Sequence, residues 1–125
     1  MKSKIVSIFI FALILFAVSK SSLAQDPMVV GPEIYKKVLL ENDRVRVMDV
    51  VFAPGKSMPT HSHPAPHFVY VTAGGKLRIT NQDGSSSEAE LNVGDVLWME
   101  PVTHSAVNYG DTEVKLIVVE LKGKM

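Results

Sequence analysis

The sequence predicts an all-β domain, closed as a barrel or sandwich of the jelly-roll type. Three observations carry this. Beyond residue 24, short apolar and β-branched runs alternate with Gly, Pro, Asn and Asp. No stretch there has the 3.6-residue periodicity of an amphipathic helix. The chain also lacks cysteine, so a domain of this size has to be held by packing, assembly or a metal rather than by disulfides.

Taken in order, the elements begin with a leader. Met1-Lys2-Ser3-Lys4 is basic, Ile5 to Val18 is an apolar run of 14 residues, and Ser22-Leu23-Ala24 sets small residues where a signal peptidase reads. Residues 1–24 are therefore expected to be a signal peptide cleaved after Ala24, which places the mature chain in the periplasm or outside the cell. The run is shorter than the ~18 residues of a spanning helix, so no stable membrane anchor is expected. The remaining 101 residues carry 10 basic and 13 acidic side chains, a net charge near −3 that argues against a nucleic-acid surface.

Residues 25–43 follow as an N-terminal arm, because Pro27 and Pro32 favour extended backbone over Gln25 to Val38. Residues 44–121 form the single domain. Arg44 to Phe52 alternates charged and β-branched residues like a strand, and Phe68 to Thr72 and Lys76 to Thr80 are strand runs joined at Gly74-Gly75. Ser85-Ser86-Ser87 continues a turn at Asp83-Gly84, and Asp95 to Met99 and Val114 to Leu121 add two strands, the last nearly all apolar. Neither a repeat nor a linker divides the chain. Gly55, Gly74, Gly84 and Gly94 are expected to serve turns that need open φ/ψ space.

The chemistry lies in the histidines. Three of the four, His61, His63 and His67, fall within seven residues. On extended backbone residues two apart project to one side, so His61 and His63 can approach one ion together. Pro64 and Pro66 can turn the chain so that His67 returns on a neighbouring strand. His104 follows the turn-rich Glu100-Pro101-Val102-Thr103 and can arrive from across a barrel. The expected metal ligands are His61, His63, His67 and His104.

These residues carry a resemblance. Gly55, His61, His63, His67 and Gly74, at their spacing, resemble the first signature of the cupin superfamily, and Gly94-Asp95 through Pro101, His104 and Asn108 are similar to the second. The similarity spans Arg44 to Leu121. Within the superfamily it resembles most the small single-domain proteins grouped with the β-alanine degradation protein BauB, on Arg44-Val45-Arg46-Val47, Gly94-Asp95-Val96-Leu97-Trp98 and Val118-Val119-Glu120-Leu121. The chain departs from the pattern at His67, which holds the usual glutamate position, and at Val102, where a glycine is usual. The spacing from Gly94 to His104 is also one residue short.

The resemblance implies a cupin-type jelly-roll β-barrel with one divalent transition metal, a small-molecule ligand or substrate, and dimerisation through edge strands, with the arm covering an edge of a homodimer. Four neutral imidazoles leave the ion its full charge and suit Fe, Cu, Ni or Zn better than Mg or Ca, and Mn is a further candidate for the ion. Three functions then fit: a dioxygenase-like oxidoreductase acting on a small organic acid, a non-redox isomerase or decarboxylase, and a metal or small-ligand binder that turns nothing over.

Other residues take structural expectations. Asn108 is read as structural, Trp98 as core packing with Leu97 and Met99, and Tyr70 as facing away from His67. Arg46 and Arg78 are read as solvated, with Asp49 and Glu100 the carboxylates nearest the site.

Overall fold

The computed structural model describes residues 25–123, so the leader of residues 1–24 lies outside the described residues. A one-turn helix, α1 (Pro27–Val30), precedes nine strands: β1 (Tyr35–Glu41), β2 (Val45–Phe52), β3 (Ser57–His63), β4 (His67–Ala73), β5 (Gly75–Asn81), β6 (Ser86–Leu91), β7 (Val96–Met99), β8 (Val102–Asn108) and β9 (Val114–Leu121). They pair antiparallel in two sheets, of order β1-β2-β9-β4-β7 and β3-β8-β5-β6.

Strict alternation builds the core. In β2, Met48, Val50 and Phe52 are buried, and in β9, Val114, Leu116 and Val118 match them. Side chains from the second sheet, including Met58, Leu77 and Leu91, complete one cluster. Each such side chain contributes on the order of 1.5–3 kcal/mol by leaving water. The all-β jelly-roll expectation is met.

The arm departs from its extended reading. Asp26 accepts a hydrogen bond from the Met28 amide (2.8 Å) and Pro27 pre-sets φ at the first helical position, which together nucleate α1. Residues 35–41 then form β1, whose exposed lysines and leucines hid an edge strand from a search for alternation. The arm covers an edge of its own chain: the Ser62 amide on edge strand β3 donates to the Gln25 carbonyl (2.8 Å).

Trp98 is not core. It lies on edge strand β7, opposite Phe68 in register, on the face turned away from His67 and Val69, and it is 55% exposed with its Nε1–H donating to Glu100. Tyr70 shares that outer face, as expected, and Arg78 is exposed in a pair with Glu88.

Gly55, Gly84 and Gly94 have φ of 80°, 91° and 94°, the left-handed conformation that turns require. Gly74 has a different reason for being glycine. A Cβ there would sit 2.4 Å from the Leu91 carbonyl oxygen, so β4 can pass into β5 only with no side chain at that point.

Candidate metal centre

A β-bulge sets the first two histidines. In the β3–β8 ladder Met58 pairs with Ala106 and His61 with His104, so β3 carries one more residue than its partner across Pro59-Thr60. That insertion shifts the inward parity from even to odd positions, and Met58, His61 and His63 are all buried as a result. Pro59 is tolerated because β3 is an edge strand. Pro64 and Pro66 then carry the chain from the four-stranded sheet to β4 of the five-stranded sheet, which starts at His67. His104, directly opposite His61, completes the group from β8.

The ligand atoms of His61, His63 and His104 lie within 4.8 Å of one another, with all three residues buried. Ring centroids are 4.9 Å apart for His61–His63, 4.8 Å for His61–His104 and 5.5 Å for His63–His104. His67 is buried too and stacks on His63 at 4.2 Å, bordering the group rather than joining the 4.8 Å cluster.

Backbone and carboxylate partners fix the ring orientations. His61 Nδ1 donates to the Pro59 carbonyl (2.8 Å), His67 Nδ1 to the Ala65 carbonyl (3.2 Å) and His63 Nδ1 to Glu120 Oε2 (2.7 Å). With Nδ1 occupied, each neutral ring keeps its Nε2 lone pair for another partner. The Tyr35 hydroxyl lies 3.3 Å from His63 Nε2. His104 Nδ1 is buried without any hydrogen-bond partner among the described residues.

Glu120 is the residue sequence reasoning missed. Its Oε1 accepts from Arg46 Nε (3.1 Å), and Arg46 continues to Asp26 Oδ2 (3.0 Å), forming a chain from the α1 cap to His63. Arg46 is thus half-buried and paired, not solvated. The signal was present: Glu120 falls in the inward set of β9 with Leu116 and Val118, and Arg46 in that of β2 with Met48. A charge on an inward position has to be paired. Asp49 instead sits on the outer parity of β2, and Glu100 is taken by Trp98.

Burial raises the Glu120 carboxyl, but the hydrogen bond from His63 and the Arg46 guanidinium outweigh it and hold the group below its ordinary value. Burial raises the Tyr35 hydroxyl, with Glu120 adding to the effect, so it stays protonated. Desolvation lowers His61 to about 4 and His104 to about 3, the neighbouring imidazoles adding to both, and lowers His67 as well. Neutral imidazoles at neutral pH are what metal coordination requires.

This has a consequence for stability. Unfolded histidines titrate near 6.5. Below that pH the unfolded chain binds protons that buried His61 and His104 refuse until about 4 and about 3, so folding stability falls as pH drops through this window. The melting temperature of metal-free protein is expected to be flat above about pH 7 and to fall steadily from pH 6.5 to 4, and His104→Phe is expected to shallow that slope.

The histidines wall one end of a cavity of about 230 Å³. Among the described residues its lining is otherwise apolar except for Tyr35 and Trp98. The donors fit a divalent transition metal: three buried imidazoles converge, one buried nitrogen lacks a partner among the described residues, and a carboxylate orients the central ring.

Asn108 has the structural role expected of it. Its Nδ2 donates to the Phe52 (3.0 Å) and Thr112 (2.8 Å) carbonyls and its Oδ1 accepts from the Gly110 amide (3.0 Å).

Comparison with known proteins agrees with this architecture. Residues 48–120 match the cupin domain model. The chain is 30% identical to a cupin domain from Bordetella pertussis Tohama I, with a TM-score of 0.65 over 70% of this chain and 91% of that one. It is also 30% identical to a cupin-like protein from Thermotoga maritima, with a TM-score of 0.54 over 67% and 65% of the two chains. An RmlC-like cupin family protein with a double-stranded β-helix fold from Methanocaldococcus jannaschii shares the fold at 17% identity, with a TM-score of 0.59 over 69% and 77%. No curated protein matches. A matched domain over most of the described barrel, with two sheets enclosing clustered histidines, makes this chain a member of the cupin family.

Proposed function

We propose that this chain is an exported cupin that holds one divalent transition metal at His61, His63 and His104, with His67 as fourth ligand, and acts as a dioxygenase-like oxidoreductase on a small organic ligand. The observation that carries the reading is the convergence of three buried imidazoles within 4.8 Å at the wall of a cavity. Bound there, the metal supplies a Lewis acid for an oxygen of the ligand and, if iron, a one-electron couple toward O₂. The chain's own residues do the rest. Pro59, Ala65 and Glu120 hold three rings in orientation, Tyr35 offers a protonated hydroxyl at the cavity wall, and the apolar lining excludes water.

Export and a periplasmic or secreted location rest on the leader of residues 1–24, and a place among BauB-like small cupins rests on the three short segments quoted above. A second reading, a binder without turnover, is favoured by one observation. Among the described residues lining the cavity there is no carboxylate, lysine or cysteine to act as acid, base or nucleophile.

Iron-reconstituted protein in an oxygen electrode with small carboxylates and diketones separates the two. Ligand-dependent oxygen uptake, abolished in His61→Ala, is expected. One equivalent of bound iron without uptake on any of them removes the oxidoreductase reading and leaves the binding and non-redox isomerase or decarboxylase readings. His67→Glu is expected to retain the metal and His67→Ala to weaken it, and equal metal content in both would remove His67 from the ligand set.

A further inference from the structure

We infer that the ligand taken by this cavity has an apolar body with its oxygen functions confined to one end, so that hydroxylated or multiply charged acids are excluded. The inference rests on the metal reading for the ligand's head and is independent of it for the body. Apart from the Trp98 indole, which is taken by Glu100, the polar groups of the lining cluster together: His61, His63, His67, His104 and the Tyr35 hydroxyl.

Strand register shows what lies beyond. Along β4, His67 pairs with Glu120, then Val69 with Val118 and Val71 with Leu116. Along β8, His104 pairs with Asn81, then Ala106 with Ile79 and Asn108 with Leu77. Four residues of strand span roughly 13 Å. Over that depth the cavity is walled by Val69, Val118, Ile79, Leu77 and Leu116, with no Lys, Arg, Asp, Glu, Ser, Thr, Asn or Gln among the described lining residues.

No guanidinium reaches in to grip a second carboxylate, because Arg46 is spent on Glu120 and Asp26 and Arg78 lies outside with Glu88. A hydroxyl pushed past the histidines would lose its water and find no partner, whereas each methylene that replaces it gains from burial. The volume of about 230 Å³ lies below the range usual for drug-sized ligands, which points to a short alkyl or single-ring body.

The test titrates zinc-loaded protein, which is redox-silent, with pentane-2,4-dione, heptane-2,4-dione and nonane-2,4-dione, which lengthen at one end only, and with malate, by isothermal titration calorimetry. Affinity is expected to rise about fourfold per added methylene, and malate to bind far more weakly than the longest dione. Leu77→Ser and Leu116→Ser are expected to flatten the dependence on chain length. The wild-type series is decisive even if those variants fail to fold.

A flat or inverted series, or malate binding as tightly as nonane-2,4-dione, overturns the inference. Zinc content of the same sample keeps the two ideas apart. Stoichiometric zinc with a flat series sinks the apolar-body inference and leaves the metal reading intact. Absent zinc sinks the metal reading, and the inference about the body then stands if alkan-1-ols bind metal-free protein with the same gain per methylene and falls if they do not.

Discussion

Replacing Glu120 with glutamine is expected to weaken metal binding by about ten- to a hundredfold, the range seen when the partner of a ligating histidine is lost. The carboxylate accepts from His63 Nδ1 on one oxygen and from Arg46 Nε on the other. A glutamine can turn its oxygen to only one of these donors and must direct its NH₂ at the other. It also removes the negative charge that offsets the Arg46 guanidinium beside it. Competition titration with a chromophoric zinc chelator measures the effect. Unchanged affinity would mean that the Asp26–Arg46–Glu120 chain only packs the arm against the barrel, and has no bearing on the metal.

Asn108→Ala is expected to cost about 3 kcal/mol of folding stability. The change strands the buried Phe52 carbonyl and removes the partner of the half-buried Thr112 carbonyl and Gly110 amide. For a domain of this size that corresponds to a fall in melting temperature on the order of 15 °C. Asn108 lies four residues from His104 along β8, so the folded fraction is expected to keep the wild-type affinity for zinc. Loss of metal affinity with little loss of stability would place Asn108 in the site instead of at the base of the barrel.

The parts of the fold legible in the sequence were those where alternation is clean. β2, β4, β5 and β9 read directly because one parity is mostly apolar, interrupted only at a strand end by Arg46, His67, Asn81 and Glu120. β1 and β6 were obscured by their position: both are edge strands whose side chains are mostly exposed, so their residues look like arm and turn. Trp98 misled for the same reason, since a tryptophan on the outer face of an edge strand has the same neighbours in sequence as a buried one.

The histidines were legible because clustering within seven residues is hard to produce without a purpose. Their supporting shell was not. Glu120 is 57 residues from the His63 ring it holds, and only the register of β9 against β4 and β2 brings it there. The bulge at Pro59-Thr60, which gives His61 and His63 the same inward direction as Met58, likewise leaves no mark on composition. Charges on inward parities, at Arg46 and Glu120, are the one trace of that shell in the sequence itself.

The central claim is that His61, His63 and His104 hold a metal ion. Elemental analysis of residues 25–125, purified without chelator and without a histidine tag and then reconstituted with zinc or iron, tests it most directly. The account predicts close to one metal per chain, lost in His61→Ala and in His104→Ala with the fold intact by circular dichroism. No stoichiometric metal after reconstitution, or full content in both variants, would contradict it.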